Sequence, residues 1–188
     1  MNRHGGLSAG LVAMIVVVAL GAARPATAQG LAAGNFSVSA GYSFMHDTSG
    51  SGTNFSKGGD IDFAMFFAPL FGAEVEVGGW CEDEEFGTLD ESWMVYTIQG
   101  GPTFKIPRLV NPWLGQVHVL AGVAIDSVSV NSGPASHSTH FSLDPGVDFD
   151  YMFKPHWGAR FDGGVRFVNE ANETSRQFHV GAGIVYRP

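Results

Sequence analysis

The sequence is poor in cysteine and in charged residues. Cys81 is its single cysteine, so no internal disulfide can staple the fold. Charged residues make up only 15% of the 188 residues, and the 18 acidic residues outnumber the 10 basic ones. An acidic chain is repelled by phosphate backbones, which excludes nucleic acid as a partner. Phosphate loops, dinucleotide fingerprints and zinc-spaced cysteine sets are also missing, so no cofactor is predicted.

Long apolar runs are equally scarce. The longest extends from Leu11 to Ala23, well short of the roughly 20 residues that a helix needs to cross a membrane. A short basic start precedes this run, and the small-residue triplet Ala26-Thr27-Ala28 follows it. This arrangement predicts a cleavable signal peptide at residues 1–28, cut between Ala28 and Gln29, and a single exported domain at residues 29–188.

Alternation of apolar and polar residues is the strongest pattern in the sequence. From His140 to Tyr151, the even positions are polar or glycine and the odd positions are apolar. A period of two is typical of a β-strand with one polar and one apolar face, and no helix produces it. Extended along the chain, the pattern predicts eight strands at roughly 36–45, 58–67, 71–81, 92–104, 114–128, 139–151, 157–168 and 176–187.

The connections between these strands fall into two classes. The odd-numbered connections (46–57, 82–91, 129–138 and 169–175) are polar, whereas the even-numbered ones carry proline and basic residues. Alternate connections of an up-and-down meander lie at opposite ends of a barrel, so this segregation predicts that topology. Pro145 removes a ladder donor within the sixth strand, and we expect a bulge there.

The alternation is compatible with a soluble barrel that is apolar inside and with a membrane barrel that is apolar outside. An eight-strand barrel leaves room only for side chains, and most of the 15 Phe residues would crowd it. Aromatic residues also lie near many strand ends, as in interfacial girdles. They are Phe44, Trp80, Trp93, Phe104, Trp113, Tyr151, Trp157, Phe167 and Tyr186. We therefore predict an all-β, closed, up-and-down antiparallel transmembrane β-barrel with a polar lumen and an apolar outer face. A secreted lipocalin-like carrier is the alternative.

The eight-strand meander resembles the small OmpA/OmpX-type outer-membrane barrels, often described as the outer membrane protein beta-barrel domain. The closing segment Phe178–Tyr186 is similar to the C-terminal insertion signal of that family. The resemblance implies a location in the outer membrane of a Gram-negative bacterium and contacts with its lipid and lipopolysaccharide. It also implies recognition by the outer-membrane assembly machinery, and a non-enzymatic structural or surface-interaction role.

The polar face of the predicted strands sends charged residues into the lumen. A tight second connection sets Asp62 close to Glu76 across a hairpin. The seventh strand lies opposite the third in a ring of eight, so Arg166 is predicted to reach Glu76 or Asp62 across the lumen. Arg160 is predicted to pair with Asp148. We define the lumen charge network as Asp62, Glu76, Asp148, Arg160 and Arg166.

One residue pair leaves an enzymatic alternative open. His140 and Ser142 share a strand face, and their spacing is similar to that of the outer-membrane lipid A deacylases, in which such a pair acts as base and nucleophile. Leu143 replaces the Asn that follows the Ser in that family, and Lys154 stands where its acidic partner would fall. The predicted function is therefore non-enzymatic, without catalytic residues or metal ligands, and the deacylase-like enzyme is the alternative.

We expect the mature protein to begin at or near Gln29 and to fractionate with outer membranes, because the apolar run is too short to anchor it. N-terminal sequencing of protein from separated membranes measures both properties. Recovery of the chain in the inner membrane with Met1 still in place would contradict this prediction.

Overall fold

The computed structural model describes residues 36–48, 52–86, 89–130, 135–169 and 174–188. The predicted signal peptide at residues 1–28 and its cleavage site at Ala28 and Gln29 lie outside these residues and stay a prediction. Within the described ranges, no helix has the length and apolar character needed for crossing a membrane.

β-Strands account for most of the described chain. The strands are β1 (Phe36–Asp47), β2 (Thr53–Phe55), β3 (Lys57–Phe66), β4 (Phe71–Phe86), β5 (Leu89–Lys105), β6 (Trp113–Val130), β7 (Ser136–Met152), β8 (Trp157–Asn169) and β9 (Thr174–Tyr186). All eight predicted strands are present, and β2 is an additional strand of three residues that pairs with the end of β1. The eight long strands have 10 to 18 residues, against the ~9–11 that a tilted strand needs to cross a bilayer.

The long strands form a closed antiparallel ring. Each pairs with its neighbours in chain order, and β1 also pairs with β9 from Val38↔Tyr186 to Asp47↔Gln177. Closure pairs every long strand on both sides, which satisfies its backbone donors and acceptors without water. The predicted fold class, a closed up-and-down antiparallel barrel of eight strands, is confirmed.

The meander places alternate connections at opposite ends of the barrel. Residues 67–70, 106–112 and 153–156 connect strands at one end, here called the turn end; the other is the loop end. At the loop end, β4 and β5 stay paired as far as Phe86↔Leu89. The predicted polar loop at 82–91 is therefore mostly hairpin, because each strand satisfies the backbone of the other beyond the end of β3.

The two faces of each strand differ in the predicted sense. In β7, the side chains of Ser142 and Asp144 are fully buried, whereas that of Phe141, on the opposite face of the strand, is 56% exposed. In β9, His179 is buried and Val180 is 60% exposed. Large apolar side chains thus cover the outer face and polar ones fill the lumen. A lipocalin-like carrier needs the opposite arrangement, so that alternative is not supported.

Aromatic side chains form a band around the turn end. Three cross-strand pairs have ring centroids 5.0 to 5.1 Å apart: Phe71 with Phe104, Trp113 with Tyr151, and Trp157 with Tyr186. Such bands are typical of the interface between membrane and water. The prediction is wrong for Trp93, which packs against a buried cluster, and for Trp80, which is 2% exposed. The position of Trp80 shares the parity of Glu74 and Glu76, and this parity turns its side chain into the lumen.

Pro145 does not produce the expected bulge. The β7–β8 ladder pairs Leu143↔Phe167 before it and Gly146↔Gly164 after it, so neither strand contains an extra residue. On the other side, Pro145 itself is in register with Val119. The expectation is wrong because the missing N–H interrupts the ladder locally without changing its register.

The outer face predicts a depth-dependent cost of charge. Val119 is an outward residue of β6, six positions after Trp113 of the aromatic band, and Val110 is exposed in a turn-end connection. We expect Val119→Arg to lower the free energy of unfolding by about 2–4 kcal/mol and Val110→Arg by much less, because charge is most costly at the bilayer midplane, about halfway along a span of ~9–11 residues. Urea titrations in lipid vesicles, followed by the gel mobility of unboiled samples, measure both values.

Gly122 supplies the control for this experiment. A Cβ there would overlap the backbone of β5 at Ile98 and Gln99, so Gly122→Arg should destabilise the barrel in lipid and in detergent alike. Val119→Arg should be costly mainly in lipid. Equal costs for Val119→Arg and Val110→Arg would contradict a lipid-facing surface at Val119.

Candidate functional site

The lumen brings together the charged side chains of six strands. Its buried carboxylates, guanidiniums and imidazoles are Asp62, Glu74, Glu76, Asp144, Asp148, Asp150, Arg160, Arg166, His118 and His179. They alternate with outward apolar residues, so the same period of two that builds the outer wall also delivers them inward. Because a barrel of eight strands is narrow, side chains from different walls can meet. The lumen is therefore the candidate functional site.

Arg166 connects opposite walls of the barrel. Its side chain is fully buried on β8, which lies four strands from β4 around the ring. Nη2 lies 3.0 Å from Oε1 of Glu76 on β4 and 2.9 Å from Oδ2 of Asp144 on β7. The contact with Glu76 is a hydrogen bond between ionised partners, which is stronger than a neutral one, and the contact with Asp144 is an ion pair. One guanidinium thus links three strands across the lumen.

An apolar cluster lies beside Arg166 toward the loop end. It consists of the buried side chains of Met45, Phe55, Trp80 and Val95, and we call it the apolar cap. The guanidinium carbon of Arg166 lies 4.7 Å from the centroid of the Trp80 ring, a distance suited to cation–π attraction. The lumen is polar as predicted, and this apolar cluster is a feature that the sequence analysis did not predict.

Two glycines provide the space that the indole of the apolar cap occupies. A Cβ at Gly58 or Gly78 would overlap atoms of the Trp80 ring. The indole Nε1 donates a hydrogen bond of 3.3 Å to Oγ of Ser43 on β1. Gly58 and Gly78 on the polar face therefore leave the space that one large aromatic side chain needs in a narrow lumen.

Arg160 holds a second group of carboxylates nearer the turn end. Its Nε lies 2.8 Å from Oδ1 of Asp150, while Nη1 lies 3.6 Å from Asp62 and 3.7 Å from Asp148. Asp148, the partner predicted from the sequence, is thus one of three carboxylates around this guanidinium, and Asp150 is the nearest. Arg187 contacts Asp150 as well, with Nε 2.9 Å from Oδ2.

Asp62 and Glu76 are adjacent across the β3–β4 hairpin, in direct register. Like charges in such positions repel each other unless cations neutralise them. Asp62 accepts a hydrogen bond of 2.7 Å from Oγ of Ser39 and faces Arg160, whereas Glu76 binds Arg166. Each carboxylate therefore has its own cation, and the two arginines reduce the repulsion between the adjacent negative charges.

Sequence reasoning missed both lumen histidines. His118, Gly146, Gly164 and His179 form one row across β6, β7, β8 and β9. A Cβ on either glycine would come too close to an imidazole, so the two glycines make room for the two rings. The sequence contains the signal, because His118 and His179 occupy inward-facing positions of their strands.

The two histidines differ in their partners. Nε2 of His179 lies 3.0 Å from Oδ1 of Asp144. Nδ1 of His118 lies 3.4 Å from Oδ2 of Asp148 and 3.7 Å from Oε1 of Glu74. Glu74 and Asp148 also share a hydrogen-bond donor, since Nε2 of Gln116 lies 3.0 Å from Oε2 of Glu74 and 2.8 Å from Oδ2 of Asp148.

The residues of the enzymatic alternative are not assembled as a base and a nucleophile. Oγ of Ser142 is fully buried and accepts a hydrogen bond of 2.9 Å from Nε2 of Gln99. His140 instead faces Asp126, with 3.7 Å between Nε2 and Oδ2. Ser142 also points into the lumen, away from the outer face on which a lipid A substrate would lie. The geometry does not favour the deacylase-like alternative.

Solved structures provide fold-level comparisons. Neisserial surface protein A is 14% identical over 82% of this chain and 97% of that chain, with a TM-score of 0.65. Ail, the attachment invasion locus protein of Yersinia pestis, solved in complex with the heparin analogue sucrose octasulfate, is 18% identical over 82% and 99%, with a TM-score of 0.59. The outer membrane protein OprG from Pseudomonas aeruginosa is 13% identical over 85% and 98%, with a TM-score of 0.57. No curated protein matches the chain in sequence.

A family model covers nearly the whole sequence. The model for the outer membrane protein beta-barrel domain matches residues 12–187. This match agrees with the closed eight-strand ring, the apolar outer face and the aromatic band at the turn end. The predicted location in the bacterial outer membrane is confirmed. The chain belongs to the outer membrane protein beta-barrel domain family.

Proposed function

We propose that the protein is a non-enzymatic outer-membrane barrel with a structural or surface-interaction role, and that its own side chains plug the lumen. The observation that carries the proposal is the contact of Arg166 with Glu76 and Asp144, which joins opposite walls directly beside the apolar cap. An ion crossing the barrel would have to displace this charge cluster and pass the buried apolar side chains. Desolvating an ion there is costly.

The charges at the two ends support an orientation for the barrel. The turn-end connections include Arg108 and Lys154 and no acidic residue, and Lys105 ends β5 beside them. The acidic run at 82–85 belongs instead to the β4–β5 hairpin at the loop end. In this proposal the turn end faces the periplasm and the loop end faces the exterior. Outer-membrane lipid and lipopolysaccharide surround the apolar wall, and the assembly machinery recognises the segment Phe178–Tyr186.

The loop end has the shape of an interaction surface. Strands β4, β5, β6 and β7 have 16 to 18 residues, whereas β1, β8 and β9 have 12 or 13. Four neighbouring strands thus continue past the rest of the ring. Such a projection can present side chains to a partner outside the cell, and the name of one structural neighbour, a surface protein, fits the same kind of role.

Stability measurements test the bridge across the lumen. We expect Arg166→Ala to lower the free energy of unfolding by ~3–5 kcal/mol, because it strands two buried carboxylates without their cation. Adding Glu76→Gln should recover part of that loss, since one stranded charge disappears. Urea titrations of the single and double variants give the coupling. Strictly additive losses would contradict the bridge, and Arg108→Ala at the exposed turn end serves as the control.

Conductance measurements test the plug. We expect purified protein in planar bilayers to show little or no steady conductance. Trp80→Ala, which opens the apolar cap, should raise the frequency of conducting events if the variant still shows the gel mobility of a folded barrel. A large and stable conductance of the wild-type protein would contradict the plugged lumen.

A further inference from the structure

Three lumen groups near the turn end converge without forming a complete hydrogen-bond network. Glu74 on β4, His118 on β6 and Asp148 on β7 are all buried, with 1%, 5% and 3% of their surfaces exposed. Each offers one ligand atom, and these three atoms lie within 4.8 Å of one another. They come from three different strands, so the barrel itself sets their spacing.

The distances between these groups suit metal ligands better than hydrogen-bond partners. Nδ1 of His118 lies 3.4 Å from Asp148 and 3.7 Å from Glu74, whereas a good N–H···O bond measures about 2.9–3.0 Å. Zinc binds imidazole nitrogen at about 2.0–2.1 Å and carboxylate oxygen at about 2.0–2.2 Å, which places the ligands of a tetrahedral ion about 3.3–3.6 Å apart. The two measured distances lie close to this range.

The imidazole of His118 points independently to a ligand. Among the described residues, neither of its nitrogens makes a hydrogen bond, and neither does Oε1 of Glu74. Buried polar atoms are rarely left in this state. The ring is held with Nδ1 toward the two carboxylates and with its other side over Gly146, where a Cβ would displace it.

Gln116 orients the two carboxylates. Its Nε2 donates to Oε2 of Glu74 and to Oδ2 of Asp148, and its Oε1 accepts a hydrogen bond of 3.1 Å from Nη2 of Arg187. Oε1 of Glu74 is thereby directed toward His118. Hydrogen bonds of this kind fix the orientation of metal ligands in proteins.

The charge around the cluster favours a divalent cation. Among the described residues, Glu74 and Asp148 both face His118, and the one guanidinium that contacts either of them is that of Arg160, 3.7 Å from Asp148. A divalent ion bound to a neutral imidazole would balance these two carboxylates. An imidazole among the ligands favours zinc-like transition metals over calcium or magnesium, which prefer oxygen alone.

We propose that Glu74, His118 and Asp148 bind one divalent transition-metal ion of the zinc class inside the barrel, near the turn end. The three side chains supply three ligands, and a fourth position stays available for water or a small anion. This site is separate from the bridge formed by Arg166, so it can fail without affecting the plugged lumen.

Cobalt binding during refolding tests the proposal. Because the three groups are buried, the exported protein is unfolded in urea with a chelator and refolded in detergent with Co²⁺. We expect one Co²⁺ per chain, with the intense visible absorption of four-coordinate cobalt, and its displacement by Zn²⁺. His118→Gln and Glu74→Gln should each weaken binding about tenfold or more, whereas His179→Gln should bind like the wild type.

The control variant is matched, since His179 is equally buried and lies in the same row of the ladder. The gel mobility of unboiled samples shows which variants are folded, and either ligand variant that folds decides the question. Absence of saturable binding at one ion per chain would overturn the proposal. So would binding that His118→Gln leaves unchanged, or that His179→Gln abolishes to the same degree.

Discussion

The pairing of β1 with β9 is the constraint on which the rest of the structure depends. In hydrocarbon, an unpaired backbone N–H or C=O has no water to bond, so a sheet can cross a membrane only as a closed ring. Closing eight strands fixes a narrow lumen. Every second residue of every strand must then fit into that space, and charged side chains from opposite walls are brought within reach of one another. The contact between Arg166 and Glu76 follows from closure as much as from charge.

Charge pairing in this lumen is a matter of specificity more than of net stability. Burying an ion pair costs desolvation that its attraction only partly offsets, whereas removing one partner leaves a costly single charge. Asp62 and Glu76 are adjacent, and each faces a different arginine on β8. A shift of one residue in either strand would turn the carboxylate of that strand toward lipid. The arrangement thus penalises any register other than the native one.

The sequence predicts the fold well because one period determines both faces. Parity assigned the strands, and ring order with a tight second connection was enough to single out Arg166 and Glu76, which the structure places 3.0 Å apart. Parity does not show which inward side chains lie at the same height in the barrel. The sequence therefore predicts Asp148 as the partner of Arg160, whereas Asp150 is the nearest carboxylate in the structure. Trp80 was misassigned because an aromatic residue at a strand end was taken as a girdle residue, although its parity is inward.

Glycine explains how a narrow lumen accommodates large side chains without a wider ring. Gly58 and Gly78 leave space for the indole of Trp80, and Gly146 and Gly164 leave space for two imidazoles. In each case the small residue lies beside the large one on a neighbouring strand or two positions along the same strand, so volume is exchanged locally and the wall remains regular. A polar face rich in glycine is therefore not an empty face. Lipid contacts only the other face, so membrane insertion depends on the apolar wall alone and inward residues can change in size and charge. This separation allows distinct charge clusters to exist at the two ends of one lumen.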